Sequence, residues 1–179
     1  MKLLLVLALT GCATSRYLAA PDGPMHQCRL PVLIATSNNV PASDRHFITE
    51  AIDWWNFYLG YEVFMDMGIV PFPPDDLRAR SLVGVGTPLN YTVKATTVAQ
   101  THLNSYANGC ISYAYVGLIR PLGTLTTHDA ALVVRHEFGH LLGLKDATER
   151  NTLMHGYIPD TLTDKDLLEV EHYALKLFY

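Results

Sequence analysis

The stretch "HEFGHLLGLKD", residues 136–146, constrains this chain more than any other part of it. It continues the apolar run Ala130–Val134, so "THDAALVVRHEFGHLLGL" reads as a single helix. Thr126 or Thr127 is the expected cap, and Asp129 sits in the first turn, where its charge suits the helix dipole. A helix turns by about 100° per residue, which sets His136 and His140 about 40° apart, one above the other. Two imidazoles so placed can reach one ion from a rigid backbone, and imidazole is a good ligand for zinc. Glu137 lies beside them rather than behind, within reach of a water on that ion. Zinc lowers the pKa of such a water to about 7, and a neighbouring carboxylate can take its proton and pass it to a leaving amine. Gly143 follows three residues after His140, and Asp146 three residues after that.

Chance accounts poorly for this spacing. At the histidine and glutamate content of this chain, His-Glu-x-x-His arises in about one chain in a hundred; adding Gly143 and a histidine or aspartate at 146 makes it about one in ten thousand. The run resembles the His-Glu-x-x-His-x-x-Gly-x-x-His/Asp signature of the metzincin metallopeptidases. That resemblance implies one catalytic zinc held by His136, His140 and Asp146, with Glu137 as catalytic base. Aspartate at the third position is the minority choice, as in the snapalysin group. Gly143 would let the chain turn sharply out of the helix, because glycine accepts positive φ without steric cost. Met154 in "NTLMHGY" looks like the methionine that packs beneath the ligands in the metzincin Met-turn. His155 is a rival third ligand, and Tyr157 and Pro159 are candidates for an S1′ wall.

Weaker signals stand in a compatible order around this motif. "CRLPVLIATS" (28–37) reads as a strand, and a helix follows from Ser43 or Asp44 to about Tyr58 with a stripe of Phe47, Ala51, Trp54, Trp55 and Tyr58. Strands are expected over 61–67 and 80–87. Residues 90–103 alternate branched and polar side chains, and Asn108-Gly109 marks a hairpin before "CISYAYVGLI". "TLTDKDLLEVEHYALKLF" reads as a closing amphipathic helix. The helix with Ala51 and Trp55, the strand before the metal helix and "LTDKDLLEVEHY" are similar to segments of the matrixin catalytic domain. The implied fold is α+β, of the zincin/metzincin type: a twisted mixed five-stranded sheet, two long helices and a small C-terminal helical subdomain. Its edge strand, within 92–100, would pair with an extended peptide by strand addition. Asp66, Asp75 and Asp76 could meet a structural calcium, but their spacing does not support one.

The N-terminus reads "MKLLLVLALTGCATS". Its apolar run is too short to span a bilayer, and small residues before Cys12 resemble a bacterial lipobox. That resemblance implies a lipoprotein signal peptide over 1–11, lipidation of Cys12, a tether over 12–27 and a catalytic domain over 28–179. The protein would then be exported and anchored by lipid to the cell envelope, with the outer membrane as destination in a Gram-negative host. Cys28 and Cys110 form an even pair in an exported chain, most simply a disulfide. The formal net charge of −4, with no basic cluster and no glycine-rich phosphate loop, excludes nucleic acid as an expected partner. The reading that follows is a zinc endopeptidase acting on peptide or protein substrates. The alternative is a membrane-anchored, metzincin-like binding lipoprotein without turnover.

Overall fold

The computed structural model describes residues 25–72, 82–88, 97–148, 152–156 and 175. In chain order these form β1 (Val32–Ser37), α1 (Arg45–Leu59), β2 (Phe64–Val70), β3 (Val83–Gly86), β4 (Ala99–Ser105), β5 (Ile111–Leu118), a 3-10 turn (Leu122–Thr124) and α2 (Thr127–Leu141). The expected α+β class, with five strands in one mixed sheet and two long helices, is what the protein adopts. Strand order is β2-β1-β3-β5-β4. β1 is parallel to β2 and β3, β3 is parallel to β5, and only the β4–β5 hairpin is antiparallel. Central parallel strands are covered on both faces, which is why β1 and β3 are apolar almost without interruption.

Several element bounds differ from the sequence reading, each for a local reason. β1 begins at Val32 rather than at Cys28, because Cys28 is drawn aside to a disulfide with Cys110, their Cα atoms 5.4 Å apart. β2 begins at Phe64 rather than 61. After Gly60 ends α1 with φ 80°, the Asn56 side chain accepts from the amides of Val63 (2.8 Å) and Phe64 (2.9 Å) and holds the chain in its turn. The edge strand is β4, at Ala99–Ser105, so it overlaps the expected 92–100 only at its start. Its position follows from the hairpin register, in which Ala99 faces Leu118 and Leu103 faces Ala114. Gly109 takes φ 86° in the loop, and the Asn108 side chain accepts from the Cys110 amide.

Asp44 precedes α1 but caps none of its amides. Its buried carboxylate instead accepts from the Leu122 amide at 2.8 Å and so ties the start of α1 to the approach of α2. Thr126 does cap α2, accepting from the Asp129 amide while its hydroxyl donates to the Asp129 carboxylate. α1 buries Phe47, Ile48, Ala51, Ile52 and Trp55. The Trp55 indole donates to the Arg135 carbonyl of α2 at 2.9 Å, so the largest core side chain also meets its polar need. Phe138 of α2 packs on Phe64 of β2, ring centroids 5.1 Å apart.

Residues 25–27, at the end of the expected tether, are packed onto the domain. Met25 is buried, His26 bridges to Cys110, and the Gln27 side chain donates to the Leu141 carbonyl at 2.8 Å. Cys12, the signal and the rest of the tether lie outside the described residues, as do Asp75, Asp76, Tyr157 and Pro159. Of the expected closing helix only Leu175 is described; it is helical and buried. No helix among the described residues is long and apolar enough to cross a membrane.

The disulfide closes a separation of 82 residues and ties the N-terminal segment to the hairpin. Cross-links of this kind stabilise by about 2–4 kcal/mol, mainly by restricting the unfolded chain. Cys28→Ser and Cys110→Ser should each lower the urea unfolding free energy by about that amount, and the double variant should lose no more than either single one.

Candidate metal centre

α2 carries His136 and His140 on one face, and the chain then leaves the helix through a closely defined turn. The Gly143 amide donates to the His140 carbonyl (2.9 Å) and the Leu144 amide to the Gly139 carbonyl (3.1 Å), the paired bonds of a Schellman cap. Gly143 has φ 92°, and a Cβ there would strike the carbonyl of Met25. Two separate constraints therefore demand glycine, the backbone angle and the N-terminal segment lying against it. Beyond this turn Asp146 comes back to the helix.

Three atoms converge. His136 Nε2 and His140 Nε2 are 3.1 Å apart, and each is 3.3 Å from Asp146 Oδ1. The other nitrogens determine their chemistry. His136 Nδ1 lies 2.8 Å from the Leu153 carbonyl, and His140 Nδ1 lies 2.8 Å from the Leu144 carbonyl. A carbonyl can only accept, so each Nδ1 carries a proton and donates, which leaves Nε2 as the lone-pair face of a neutral imidazole. Two lone pairs and a carboxylate oxygen then point at one spot, an arrangement that needs a cation or an extra proton. A tetrahedral zinc with ligands at about 2.0–2.1 Å spaces them about 3.3–3.4 Å apart, close to the separations of these atoms. The residues fit zinc. Backbone carbonyls on both Nδ1 atoms are the outer contacts that orient such ligands.

His140 is buried, whereas the Asp146 side chain is 41% exposed, so the trio opens to solvent on the aspartate side. Three ligands with an open side are the arrangement of catalytic zinc, whereas structural zinc is usually closed by four. His155 is not among the converged groups, and Asp66 belongs to no metal-competent cluster among the described residues. The Asp66 carboxylate instead accepts from the Gly68 amide within its own strand. A second geometric cluster, His26 with Cys28 and Cys110, has both its sulfurs engaged in the disulfide.

Met154 is fully buried in the turn Thr152–His155. That turn is tied to the ligand segment by the Ala147 amide donating to the Met154 carbonyl at 2.7 Å. Sequence reading had passed over Gly139. A Cβ at Gly139 would run into the Met154 sulfur and come within 3.2 Å of Trp55, so the bare helix there lets the methionine pack against α2. The available signal was a glycine inside a helix, which costs about 1 kcal/mol relative to alanine and so asks for a reason. Thr101 was also missed. It is fully buried on β4, and its hydroxyl donates to Glu137 Oε2 at 2.6 Å.

Burial works against the charge on His140, but the hydrogen bond to Asp146 and the negative charges of Glu137 and Asp146 outweigh it, so its pKa rises. Burial likewise opposes ionisation of Asp146, and hydrogen bonds from His136 and His140 overcome it, holding the carboxyl well below the usual range. No protein-family model and no curated protein matches this chain, so the reading of the site rests on its own geometry.

Two outcomes are expected. Gly139→Ala should destabilise the protein by about 1–3 kcal/mol despite alanine's better helix propensity, because the added methyl forces the buried Met154 sulfur to shift and crowds Trp55. It should also weaken zinc binding, as followed by competition with a chromophoric chelator. The second outcome concerns pH. The raised His140 pKa stabilises the metal-free fold below the unfolded value, about 6.5, and that contribution is lost as pH rises through the folded value. The lowered Asp146 pKa stabilises it above about 3.9 and is lost only as pH falls through the folded value. Protein stripped of metal should therefore draw full benefit from His140 and Asp146 between these limits. Zinc needs the imidazoles deprotonated, so the rise in Tm on adding zinc should grow from pH 6 to pH 8.

Proposed function

We propose that this protein is a metzincin-like zinc endopeptidase that hydrolyses peptide bonds in extended protein segments. The observation carrying this is the convergence of three acceptor atoms, His136 Nε2, His140 Nε2 and Asp146 Oδ1, beside the buried carboxylate of Glu137. A zinc ion bound there would act as a Lewis acid on the scissile carbonyl and acidify an attacking water.

The chain's own residues supply the remaining chemistry. Glu137 follows His136 directly on α2 and is one turn short of His140, so its carboxylate borders the site. With Oε2 held by Thr101, Oε1 is the oxygen available to take a proton from the attacking water. As the water oxygen bonds to the carbonyl carbon and the C–N bond breaks, Glu137 returns that proton to the departing nitrogen, which leaves as an amine. The Nδ1 contacts to Leu153 and Leu144 keep both imidazoles turned toward the site throughout.

The sheet supports a peptide as substrate. β4 lies against α2 and pairs only with β5 among the described residues, so its outer edge offers main-chain donors and acceptors to an extended chain. Main-chain pairing holds a peptide without demanding a particular sequence. The strand order, the Schellman turn at Gly143 and the buried Met154 in the turn tied to Ala147 support a metzincin-like arrangement. The lipobox-like sequence at Cys12 supports export and a lipid anchor in the envelope, with a peptide or protein of that compartment as substrate.

Elemental analysis and cleavage of unfolded casein test the reading. The purified protein should hold one zinc per chain and cleave casein. Glu137→Ala should keep the zinc and lose about 100-fold or more of the activity. Asp146→Ala should lose zinc as well as activity. Wild-type protein holding no zinc would refute the ligand set.

A further inference from the structure

We propose that Thr101 is a positioning residue for the catalytic base, fixing Glu137 through Oε2 so that Oε1 alone exchanges protons; this rests on the peptidase reading above. Thr101 has no solvent exposure, and Glu137 retains only 6%. A carboxylate in so dry a place needs a donor, and the Thr101 hydroxyl, 2.6 Å from Oε2, supplies one. The same oxygen lies 3.0 Å from the main-chain carbonyl of Glu137. One hydroxyl proton is available, and the shorter, charge-assisted contact takes it. The glutamate is therefore restrained at one oxygen.

The restraint comes from the edge strand. Thr101 faces Val116 across the hairpin, and its neighbours in register, Ala99 and Leu103, face Leu118 and Ala114. These positions share the face of β4 turned toward α2, and Thr101 is the polar member among apolar ones. Threonine is an ordinary strand residue, so nothing in the local pattern marks it. Its role comes from β4 lying against α2 at the helical turn that carries the base. One hydroxyl thereby joins the strand that would receive the substrate to the side chain that moves its proton. A peptide aligned along β4 would be held in fixed relation to Glu137, and that relation bears on turnover more than on binding.

Thr101→Val removes the hydroxyl at nearly constant shape, and Thr101→Ser keeps it. In the valine variant kcat should fall about 10-fold or more, as for loss of other outer contacts that orient a metal site. KM should stay within about twofold, with zinc content and Tm retained, and serine should restore kcat to within about threefold of wild type. A readout independent of turnover is a slowly exchanging Thr101 hydroxyl proton in the NMR spectrum of the zinc-loaded protein, with a nuclear Overhauser contact to the Glu137 side chain. Unchanged kcat in the valine variant overturns the proposal, as does absence of that proton. Loss of kcat together with zinc or with Tm also overturns it, in favour of a purely structural threonine. If zinc-loaded wild type cleaves neither casein nor a proteome-derived peptide mixture, the peptidase reading itself falls and takes this role with it. That failure is told apart because it needs no variant.

Discussion

Three acceptor atoms held within 3.3 Å of one another are the constraint on which the rest of this structure depends. Such a cluster is repulsive unless a cation or a proton occupies it, so the protein must hold the ligands in place against their mutual preference. It does so from behind. The Leu153 and Leu144 carbonyls fix the imidazole tautomers, and the Schellman turn returns Asp146. The supports come from two segments, the helix exit at Gly143 and Leu144 and the turn Thr152–His155, which the Ala147 amide joins through the Met154 carbonyl.

Close approach of backbone to backbone makes this possible. Gly143 accepts the Met25 carbonyl against its Cα, and Gly139 accepts the Met154 side chain. The first contact ties the helix exit to the N-terminal segment, which is joined through Cys28 to the β4–β5 hairpin. The Gln27 side chain bonds the Leu141 carbonyl at the last turn of α2. Disulfide, N-terminal segment and metal turn thus form one continuous arrangement. The end of α2 that carries His140 is secured on both sides.

The sheet then decides what faces the site. Because β4 is the antiparallel edge of an otherwise parallel sheet, its inner face meets α2 and its outer edge is left without a strand partner among the described residues. A strand in the middle could have supplied a threonine to Glu137 but no edge for a peptide. The opposite edge, β2, lies at the other end of the sheet order and meets α1 through Asn56.

The metal helix, its cap at Thr126, the paired cysteines and the hairpin at Asn108-Gly109 were legible in the sequence because each rests on contacts between near neighbours or on residue types with few other uses. His136, Glu137 and His140 belong to that group, since helical spacing alone places them together. Asp146 was legible only by resemblance, as a turn must bring it back to the two histidines. Asp44 looked like a helix cap, but its buried carboxylate turns to Leu122, a partner 78 residues away that no local pattern reveals. The start of β2 shifted for a similar reason, through the Asn56 side chain. Local sequence was enough for the candidate ligand types and their helical spacing, because those follow from the periodicity of one element. Only the tertiary structure decided that Thr101 serves Glu137, that Gly139 makes room for Met154 and that Gly143 receives Met25. Those are contacts between segments far apart in the chain, and packing rather than propensity selects them.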